Sequence, residues 1–331
     1  MGVLLKNVDS LCICIENKPS SHPLLKRAIT MDALVLAGPT ATGKTALALA
    51  LSDVLPIEII NMDSALVYRG LDIATAKPSQ EEQAKVKHHL IDIRDVTEAY
   101  SAADFARDAE QLVSEIKAKG KLPVIVGGTM LYLTAWLNGL SDLPSADAEL
   151  RAELQHQWDM DSSVLYRQLQ DKDPETALRL HPNDQQRVMR ALEVITLTGQ
   201  PLTQLQQQRK PTNHQVTVAL MQPPNRAWLH ERIHHRFTLM LEAGALEEAK
   251  ALAAAEFDMN LPALRSVGYR QMLYYLNGAL SYDEMIEQAT MATRHLAKRQ
   301  QTWMKKINSD VEIDASLPLI EQLSCLQSVL E

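Results

Sequence analysis

The stretch Ala33-Leu34-Val35-Leu36-Ala37-Gly38-Pro39-Thr40-Ala41-Thr42-Gly43-Lys44-Thr45 decides the fold of this chain. Its apolar beginning, Ala33–Ala37, predicts a short buried strand, and Thr45–Leu51 predicts a helix. The residues between them, Gly38–Thr45, match the pattern GxxxxGK[ST] at every fixed position. A glycine-rich turn between a strand and a helix is the setting in which this pattern forms a phosphate-binding loop.

This loop predicts a ligand that carries a diphosphate or a longer phosphate chain. Its glycines let backbone N–H groups turn towards a phosphate, and the helix N-terminus adds a partial positive charge. We expect Lys44 to reach the outer phosphate oxygens and the Thr45 hydroxyl to bind Mg²⁺. The motif alone does not distinguish ATP from other diphosphates. The predicted diphosphate-binding residues are Gly38, Pro39, Thr40, Ala41, Thr42, Gly43, Lys44 and Thr45.

Strand and helix patterns alternate after this loop and predict an α/β fold, a P-loop NTPase-like parallel sheet covered by helices. The further predicted strands are Ile57–Asn61, Leu90–Ile93, Pro123–Val126 and Val216–Leu220. The predicted helices begin near Ser101, Arg226, Ala245, Tyr269 and Ser281, and they end near Lys119, Ala243, Ala255, Leu276 and Ile307.

Residues 144–199 show no strand pattern, and we interpret them as an inserted, all-helical domain. The catalytic core would then comprise residues 31–143 and 200–331. Residues 1–30 lack a periodic apolar pattern, so we expect a disordered leader or an upstream start site, with the folded protein beginning near Met31.

Composition excludes several classes of protein. The 331 residues are 46% hydrophobic, enough for a sizeable core, and no apolar run approaches the roughly 18 residues of a membrane span. Cys12, Cys14 and Cys325 lie near the chain ends, which argues against a disulfide scaffold or a zinc finger and favours a cytoplasmic protein. The net charge of −8 argues against non-specific binding of polyanions by the whole surface.

Asp63 follows the predicted strand Ile57–Asn61, at the sheet edge where parallel sheets bind ligands. It could bind Mg²⁺ through water, act as a general base, or cap a turn with Ser64. A carboxylate beside a diphosphate is costly unless a metal or a proton transfer compensates, which favours the functional roles. The strand Pro123–Val126 ends in Gly127-Gly128-Thr129 without the acidic residue usual in P-loop ATPases, which weakens an ATPase interpretation.

Several ordered motifs carry a family resemblance over about Met31 to Ile313. After Gly38–Thr45 they are Asp63–Tyr68, Thr75–Pro78, His88–Asp92, Gly127–Tyr132, His181–Asp184, Gln186-Arg187, Arg190–Glu193, Val267–Gln271 and Thr293–Gln300. Together these motifs resemble those of the bacterial tRNA dimethylallyltransferases. The tail has Cys325 alone, so the zinc finger of the eukaryotic branch is absent from this sequence.

The resemblance implies transfer of a dimethylallyl group from dimethylallyl diphosphate to the N6 amine of adenine 37 in tRNA. The loop would then hold the donor diphosphate with Mg²⁺ on Thr45, and Asp63 would accept a hydrogen bond or a proton from the amine. Arg236 would clamp the diphosphate, with Arg232 as the close alternative on the same helix. The catalytic residues would be Lys44, Thr45, Asp63 and Arg236.

The resemblance also implies that the helical insertion, residues 144–199, binds tRNA, and it implies a set of tRNA-contacting residues. They are Asp63, Ser64, Ala65, Leu66, Thr129, Gln186, Arg187, Val188, Met189, Arg190, Ser266, Val267, Gly268, Tyr269, Arg270, Gln271, Arg294, Lys298 and Arg299. Residues 289–307 hold five basic residues and no acid, a pattern that suits tRNA phosphates, although a solvated helix face would look the same. The alternative for Arg187 and Arg190 is a surface ion pair with Asp184 or Glu193.

Three other functions remain open on the residues alone. A small-molecule kinase would also carry a P-loop and paired arginines, and a nucleotide-switched RNA-binding protein would bind tRNA without a covalent product. A prenyltransferase acting on free nucleotides would have a similar loop and acid. The helical insertion and the basic C-terminal helix favour a macromolecular acceptor, and we expect a monomer.

Overall fold

A six-stranded parallel sheet forms the centre of the computed structural model, which describes residues 31–139, 141, 143–207 and 211–330. The expected disordered leader, residues 1–30, lies outside the described residues. The strands lie in the order β3-β2-β4-β1-β5-β6. Their bounds are β1 Ala33–Ala37, β2 Ile57–Met62, β3 His88–His89, β4 Leu122–Gly127, β5 Val216–Gln222 and β6 Val311–Asp314.

The position of β1 inside the sheet explains where the phosphate-binding loop lies. All five residues of β1 are fully buried, and the strand pairs with β4 on one side and β5 on the other. Because every strand runs in the same direction, the loop after β1, Asp63 after β2 and Gly128 after β4 emerge at one edge of the sheet.

Helices cover both faces of this sheet, as the sequence pattern predicts. Alternate β1 residues face two different apolar clusters: Val35 packs in the cluster with Phe105 and Tyr269, and Leu36 packs in the cluster with Leu47 and Leu326. The helices are α1 Lys44–Leu51, α2 Gln80–Lys85, α3 Ala102–Ala118, α4 Met130–Asn138, α5 Ala148–Lys172, α6 Pro174–Arg179, α7 Gln185–Thr198, α8 Leu202–Gln206, α9 Arg226–Glu242, α10 Ala245–Ala254, α11 Tyr269–Leu276, α12 Tyr282–Met304 and α13 Leu319–Leu330.

Helices α5 to α8 pack around an apolar cluster of their own. Leu165 and Leu169 of α5 and Val188 and Leu192 of α7 are fully buried there, and Leu202 of α8 packs against them. This arrangement agrees with a helical insertion, and we keep the boundary at residues 144–199 as a prediction.

The strand expected at Leu90–Ile93 is wrong. The third strand is the shorter β3, because Leu90 and Asp92 adopt left-handed backbone conformations, with φ of 61° and 55°, that end the extended segment. The sequence pattern also did not predict α2, α4, α8, α13 or β6. Within the described part of the chain, no helix is both long and apolar enough to cross a membrane.

Candidate active site

The phosphate-binding loop has the shape that its glycines permit. Gly43 has a φ of 92°, in the left-handed region, immediately before α1 begins at Lys44. The Thr42 hydroxyl donates to the Pro39 carbonyl oxygen at 2.8 Å and closes the turn. A Cβ atom at Gly38 would lie 2.8 Å from the Met221 carbonyl oxygen of β5, so only glycine lets the loop pass this close to the sheet.

The amino group of Lys44 bonds back onto the phosphate-binding loop. Its Nζ atom donates to the Pro39 carbonyl oxygen at 2.7 Å. Desolvation and the nearby positive charge of Arg236 lower the pKa of Lys44 to about 7, although Asp63 acts in the opposite direction. Because a bound phosphate would favour the charged form of Lys44, this environment suits a diphosphate ligand.

Two arginines of α9 reach the loop in different ways. Arg236 Nη1 donates to the Thr40 hydroxyl at 2.8 Å, and burial beside Arg232 lowers the pKa of Arg236. Arg232 Nε donates to the Ala41 carbonyl oxygen at 2.8 Å, and its guanidinium lies 4.7 Å from the centre of the Trp228 ring. Arg236 is partly buried whereas Arg232 is exposed, so Arg236 lies deeper in the site.

Asp63 combines a local turn with an opening towards ligands. Its Oδ1 atom accepts a hydrogen bond from the Ala65 backbone N–H at 2.9 Å, which is the turn-capping contact that the sequence suggested. The residue is partly exposed and lines the cavities described next. The neighbouring Ser64 backbone N–H donates to the Thr129 hydroxyl at 3.1 Å.

Two cavities meet at this edge of the sheet. The loop cavity, of about 430 Å³, is lined by Lys44, Thr45 and the segment Thr75–Pro78. The outer cavity, of about 490 Å³, is lined by Thr129 and by residues of α9 and α12. The residues that line both cavities are Thr40, Ala41, Asp63, Thr75, Gly128, Arg236 and Gln300. A ligand in one cavity can therefore meet a ligand in the other beside Asp63 and Arg236.

Gln300 of α12 fixes the wall between these cavities, and sequence reasoning gave it no role. Its Oε1 atom accepts from the Thr40 backbone N–H, and its Nε2 atom donates to the Gly128 carbonyl oxygen, both at 2.9 Å. A Cβ atom at Gly128 would lie 2.3 Å from Gln300 Nε2, so the glycine makes this contact possible. The available signal was a glutamine at the end of the motif Thr293–Gln300.

The structure places some residues of the predicted tRNA-contacting set at the surface. Ser64, Gln186, Arg187, Lys298 and Arg299 are exposed. Partly exposed residues are Asp63, Ala65, Leu66, Thr129, Met189, Arg190, Ser266, Val267, Arg270 and Arg294. The outer cavity is lined by Ser266, Val267, Gly268 and Arg299. Arg299 therefore connects the exposed face of α12 with this cavity.

Three of these side chains lie inside the protein, and their contact with tRNA remains a prediction. Val188 is fully buried in the cluster of the helical insertion. Tyr269 is also fully buried, and Gln271 accepts from the Gly268 backbone N–H at 3.0 Å inside the protein.

Arg190 pairs with buried Glu193 at 2.6 Å, as the ion-pair alternative predicts. Arg187 lies 3.3 Å from Asp184, yet 67% of its side chain remains exposed.

The oxygen atoms around the loop fit a magnesium ion that a ligand helps to hold. Thr45 and Asp63 line the loop cavity, and hydroxyl and carboxylate oxygens are ligands that Mg²⁺ accepts. Among the described residues, no group of three or more His, Cys, Asp or Glu side chains forms a metal site. A bound diphosphate and water would therefore supply the remaining ligands.

Comparison with known proteins agrees with this geometry. A family model described as IPP transferase matches residues 66–307. The chain belongs to the IPP transferase family. This IPP transferase is 50% identical over 293 residues to the tRNA dimethylallyltransferase of Halorhodospira halophila, covering 87% of this chain and 94% of that protein.

Solved structures of the same family share the fold of this IPP transferase. The tRNA isopentenylpyrophosphate transferase of Bacillus halodurans is 35% identical with a TM-score of 0.65, and the match covers 90% of this chain and 97% of that one. The Staphylococcus epidermidis enzyme is 30% identical with a TM-score of 0.65, covering 89% and 97%. A eukaryotic dimethylallyltransferase acting on tRNA is 29% identical with a TM-score of 0.73, covering 86% and 73%.

Proposed function

We propose that this protein transfers a dimethylallyl group from dimethylallyl diphosphate to the N6 amine of adenine 37 in tRNA, beside the anticodon. The observation that carries this proposal is the meeting of two cavities at Asp63 and Arg236, one containing a phosphate-binding loop and the other reaching the basic helix α12. The similarity to the tRNA dimethylallyltransferase of H. halophila supports the same reaction.

The loop cavity suits the donor. We propose that the backbone N–H groups of Gly43–Thr45, together with the Lys44 and Arg236 side chains, stabilise the negative charge that develops on the leaving diphosphate. We propose that Arg236 rather than Arg232 is the clamp, because Arg236 lines both cavities. Mg²⁺ bound to the Thr45 hydroxyl would add positive charge at the leaving group.

The junction of the cavities suits the acceptor. The adenine amine forms a bond to the first carbon of the dimethylallyl group as the bond from that carbon to the diphosphate oxygen breaks. Asp63 orients the amine and accepts the proton that nitrogen loses. Ile233, Phe237 and Trp303 line the outer cavity and reduce the access of water to the electron-poor allylic carbon.

The helix α12 suits the tRNA. Lys298 and Arg299 are exposed on it, and Arg299 also lines the outer cavity. Phosphates bound to this face would bring the anticodon loop to the opening of the cavity. Adenine 37 must leave its stack to reach Asp63, as bases do in other base-modifying enzymes. We also propose that the protein acts in the cytoplasm as a monomer.

The decisive experiment measures transfer of label into RNA. The protein is incubated with Mg²⁺, radiolabelled dimethylallyl diphosphate, ATP, AMP and unmodified tRNA that carries adenines at positions 36 to 38. We expect label in the tRNA, at adenine 37 after nuclease digestion. Turnover of ATP without labelled tRNA would contradict the proposal and favour the small-molecule kinase. Labelled free nucleotide without labelled tRNA would instead favour the prenyltransferase that acts on free nucleotides.

A further inference from the structure

The segment Leu71–Lys77, here called the Thr75 loop, lines both cavities but belongs neither to the phosphate-binding loop nor to the basic helix α12. Thr75 lines both cavities, whereas Ala74 lines the outer cavity and Lys77 the loop cavity. The Thr75 hydroxyl donates to the Leu71 carbonyl oxygen at 2.7 Å, so the loop is a compact turn. Its position beside Asp63 determines the space left for reacting groups.

Glu248 of α10 holds one side of the Thr75 loop. Its carboxylate accepts hydrogen bonds from the backbone N–H groups of Asp72 at 2.9 Å and Ile73 at 3.1 Å, and the Ala74 N–H follows at 3.5 Å. Three successive N–H groups directed at one anion form a concave anion-binding turn. Here a side chain of the protein supplies the anion, so this contact fixes the loop.

The same carboxylate also holds a second wall of the outer cavity. The Tyr269 hydroxyl donates to Glu248, and both burial and that carboxylate raise the pKa of Tyr269. Tyr269 is the first residue of α11 and directly follows Ser266–Gly268, which line the outer cavity. One side chain therefore bonds to two neighbouring segments of the cavity lining, which meet where Gly268 lies against Ala74.

The other side of the Thr75 loop has a separate anchor. Lys77, with only 4% of its side chain exposed, pairs with Asp72 and Asp92, and its Nζ atom donates to the Tyr68 carbonyl oxygen at 2.9 Å. The loop cavity side would therefore stay in place if Glu248 were removed, and only the outer cavity side would be released.

We propose that Glu248 is a positioning residue for the transfer reaction. It holds the Thr75 loop and Ser266–Gly268 together in the position that directs the acceptor amine to Asp63. This inference rests on the proposed function, because the transfer rate is its readout. Glu248 contacts no reacting atom in this assignment, and displacement of the walls by about 1 Å is enough to reduce turnover strongly.

The test compares Glu248→Ala and Glu248→Gln with Glu247→Ala. Glu247 lies on the same helix with 67% of its side chain exposed and pairs with Lys250 at 3.4 Å, so it is a matched control. For each variant, kcat and KM for tRNA are measured at saturating donor, together with the Kd for inorganic pyrophosphate in Mg²⁺. Hydrogen exchange of the Ile73 and Ala74 amides reports on the loop itself.

We expect Glu248→Ala to lower kcat by about tenfold or more, to speed exchange of both amides and to leave the Kd for pyrophosphate unchanged. Glu248→Gln keeps one acceptor oxygen and should give an intermediate kcat, and Glu247→Ala should match the parent enzyme.

Parent-like kcat in Glu248→Ala would overturn the proposal, as would an equal loss of pyrophosphate binding. If Glu248→Ala does not fold, Glu248→Gln decides in the same way. A parent enzyme that binds pyrophosphate but labels no tRNA would instead contradict the proposed function itself.

Discussion

Charged side chains lie at both ends of the sheet, but their partners differ. At the amino end, Glu58 of β2 is 3% exposed and accepts hydrogen bonds from His89 at 2.7 Å, Lys121 at 3.0 Å and Lys119 at 3.3 Å. Burial alone would raise the pKa of Glu58, but these partners outweigh it and lower the pKa to about 2. The carboxylate is thus satisfied by the protein.

At the carboxyl end, Lys44 and Arg236 donate to uncharged oxygens, those of the Pro39 carbonyl and the Thr40 hydroxyl. Burial and the charge of Arg236 lower the pKa of Lys44, and burial and the charge of Arg232 lower the pKa of Arg236, whereas Asp63 opposes both shifts. We conclude that the charged groups at the amino end stabilise the fold. Those at the carboxyl end have excess positive charge, which a bound diphosphate can neutralise. Substitutions at the two ends should therefore change different measurements.

The largest effect is expected at Asp63, the carboxylate between the two cavities. Asp63→Asn preserves the side-chain shape and the oxygen that can accept from the Ala65 N–H, but it removes the base. We expect transfer of labelled dimethylallyl into tRNA to fall about 100- to 10,000-fold while tRNA binding persists. Transfer at the parent rate would exclude Asp63 as the proton acceptor.

The next largest effect separates the two arginines of α9. Arg236→Ala removes a buried cation that lines both cavities, and we expect a loss of about 100-fold in kcat/KM for dimethylallyl diphosphate. Arg232→Ala removes an exposed guanidinium, and we expect a loss of a few fold. Steady-state kinetics of both variants give the comparison, and the reverse order would assign the clamp to Arg232.

A smaller effect concerns the pH dependence of diphosphate binding. Because the pKa of Lys44 is about 7 in the free enzyme, Lys44 loses its proton as the pH rises above 7 and must regain it to bind an anion. The affinity for pyrophosphate should fall by up to about tenfold per pH unit in this range, relative to Lys44→Arg, which stays charged. Calorimetric titrations with pyrophosphate at pH 6 to 9 measure the affinity of the parent and of Lys44→Arg. The ionisation of pyrophosphate affects both proteins equally, so it cancels in the ratio of the two affinities. Parallel curves would show that Lys44 is already protonated throughout.

The smallest effect on activity is expected at the amino end. Glu58→Gln should leave the rate of transfer unchanged but reduce the free energy of unfolding at pH 7 by about 1 to 3 kcal/mol. The ionised Glu58 stabilises the fold fully above pH 4.5 and loses this effect as the pH falls towards 2, so the parent should lose stability more steeply than the variant in that window. Denaturant unfolding between pH 2 and 7 measures this, with exposed Glu115→Gln as the control. A loss of transfer activity in Glu58→Gln would contradict the conclusion that the amino end of the sheet serves stability alone.

The sequence predicted those parts of the site that depend on neighbours along the chain. The phosphate-binding loop is one continuous motif between a strand and a helix, and Asp63 directly follows a strand, so local patterns were sufficient for both. The same holds for α11, whose bounds, Tyr269–Leu276, the sequence predicted correctly.

The remaining parts depend on contacts between distant residues. Gln300 bonds to Thr40 across 260 positions, and Glu248 bonds to Asp72 across 176, so no local pattern indicates either contact. The four residues of β6 form a strand because they pair with β5, which periodicity in such a short segment cannot reveal. Tyr269 and Gln271 were assigned to tRNA because their motif was treated as one surface, although a helix turns some of its residues inward.

The pairing of β1 with β5 has a consequence for synthesis of the protein on the ribosome. Residue 33 pairs with residue 216, and the helical insertion is made between them. The apolar β1 therefore waits with an unpaired edge while α5 to α8 emerge, and such an edge is prone to association with other chains. Gly38 also contacts Met221 of β5, so the phosphate-binding loop gains its final support only after Met221 has left the ribosome.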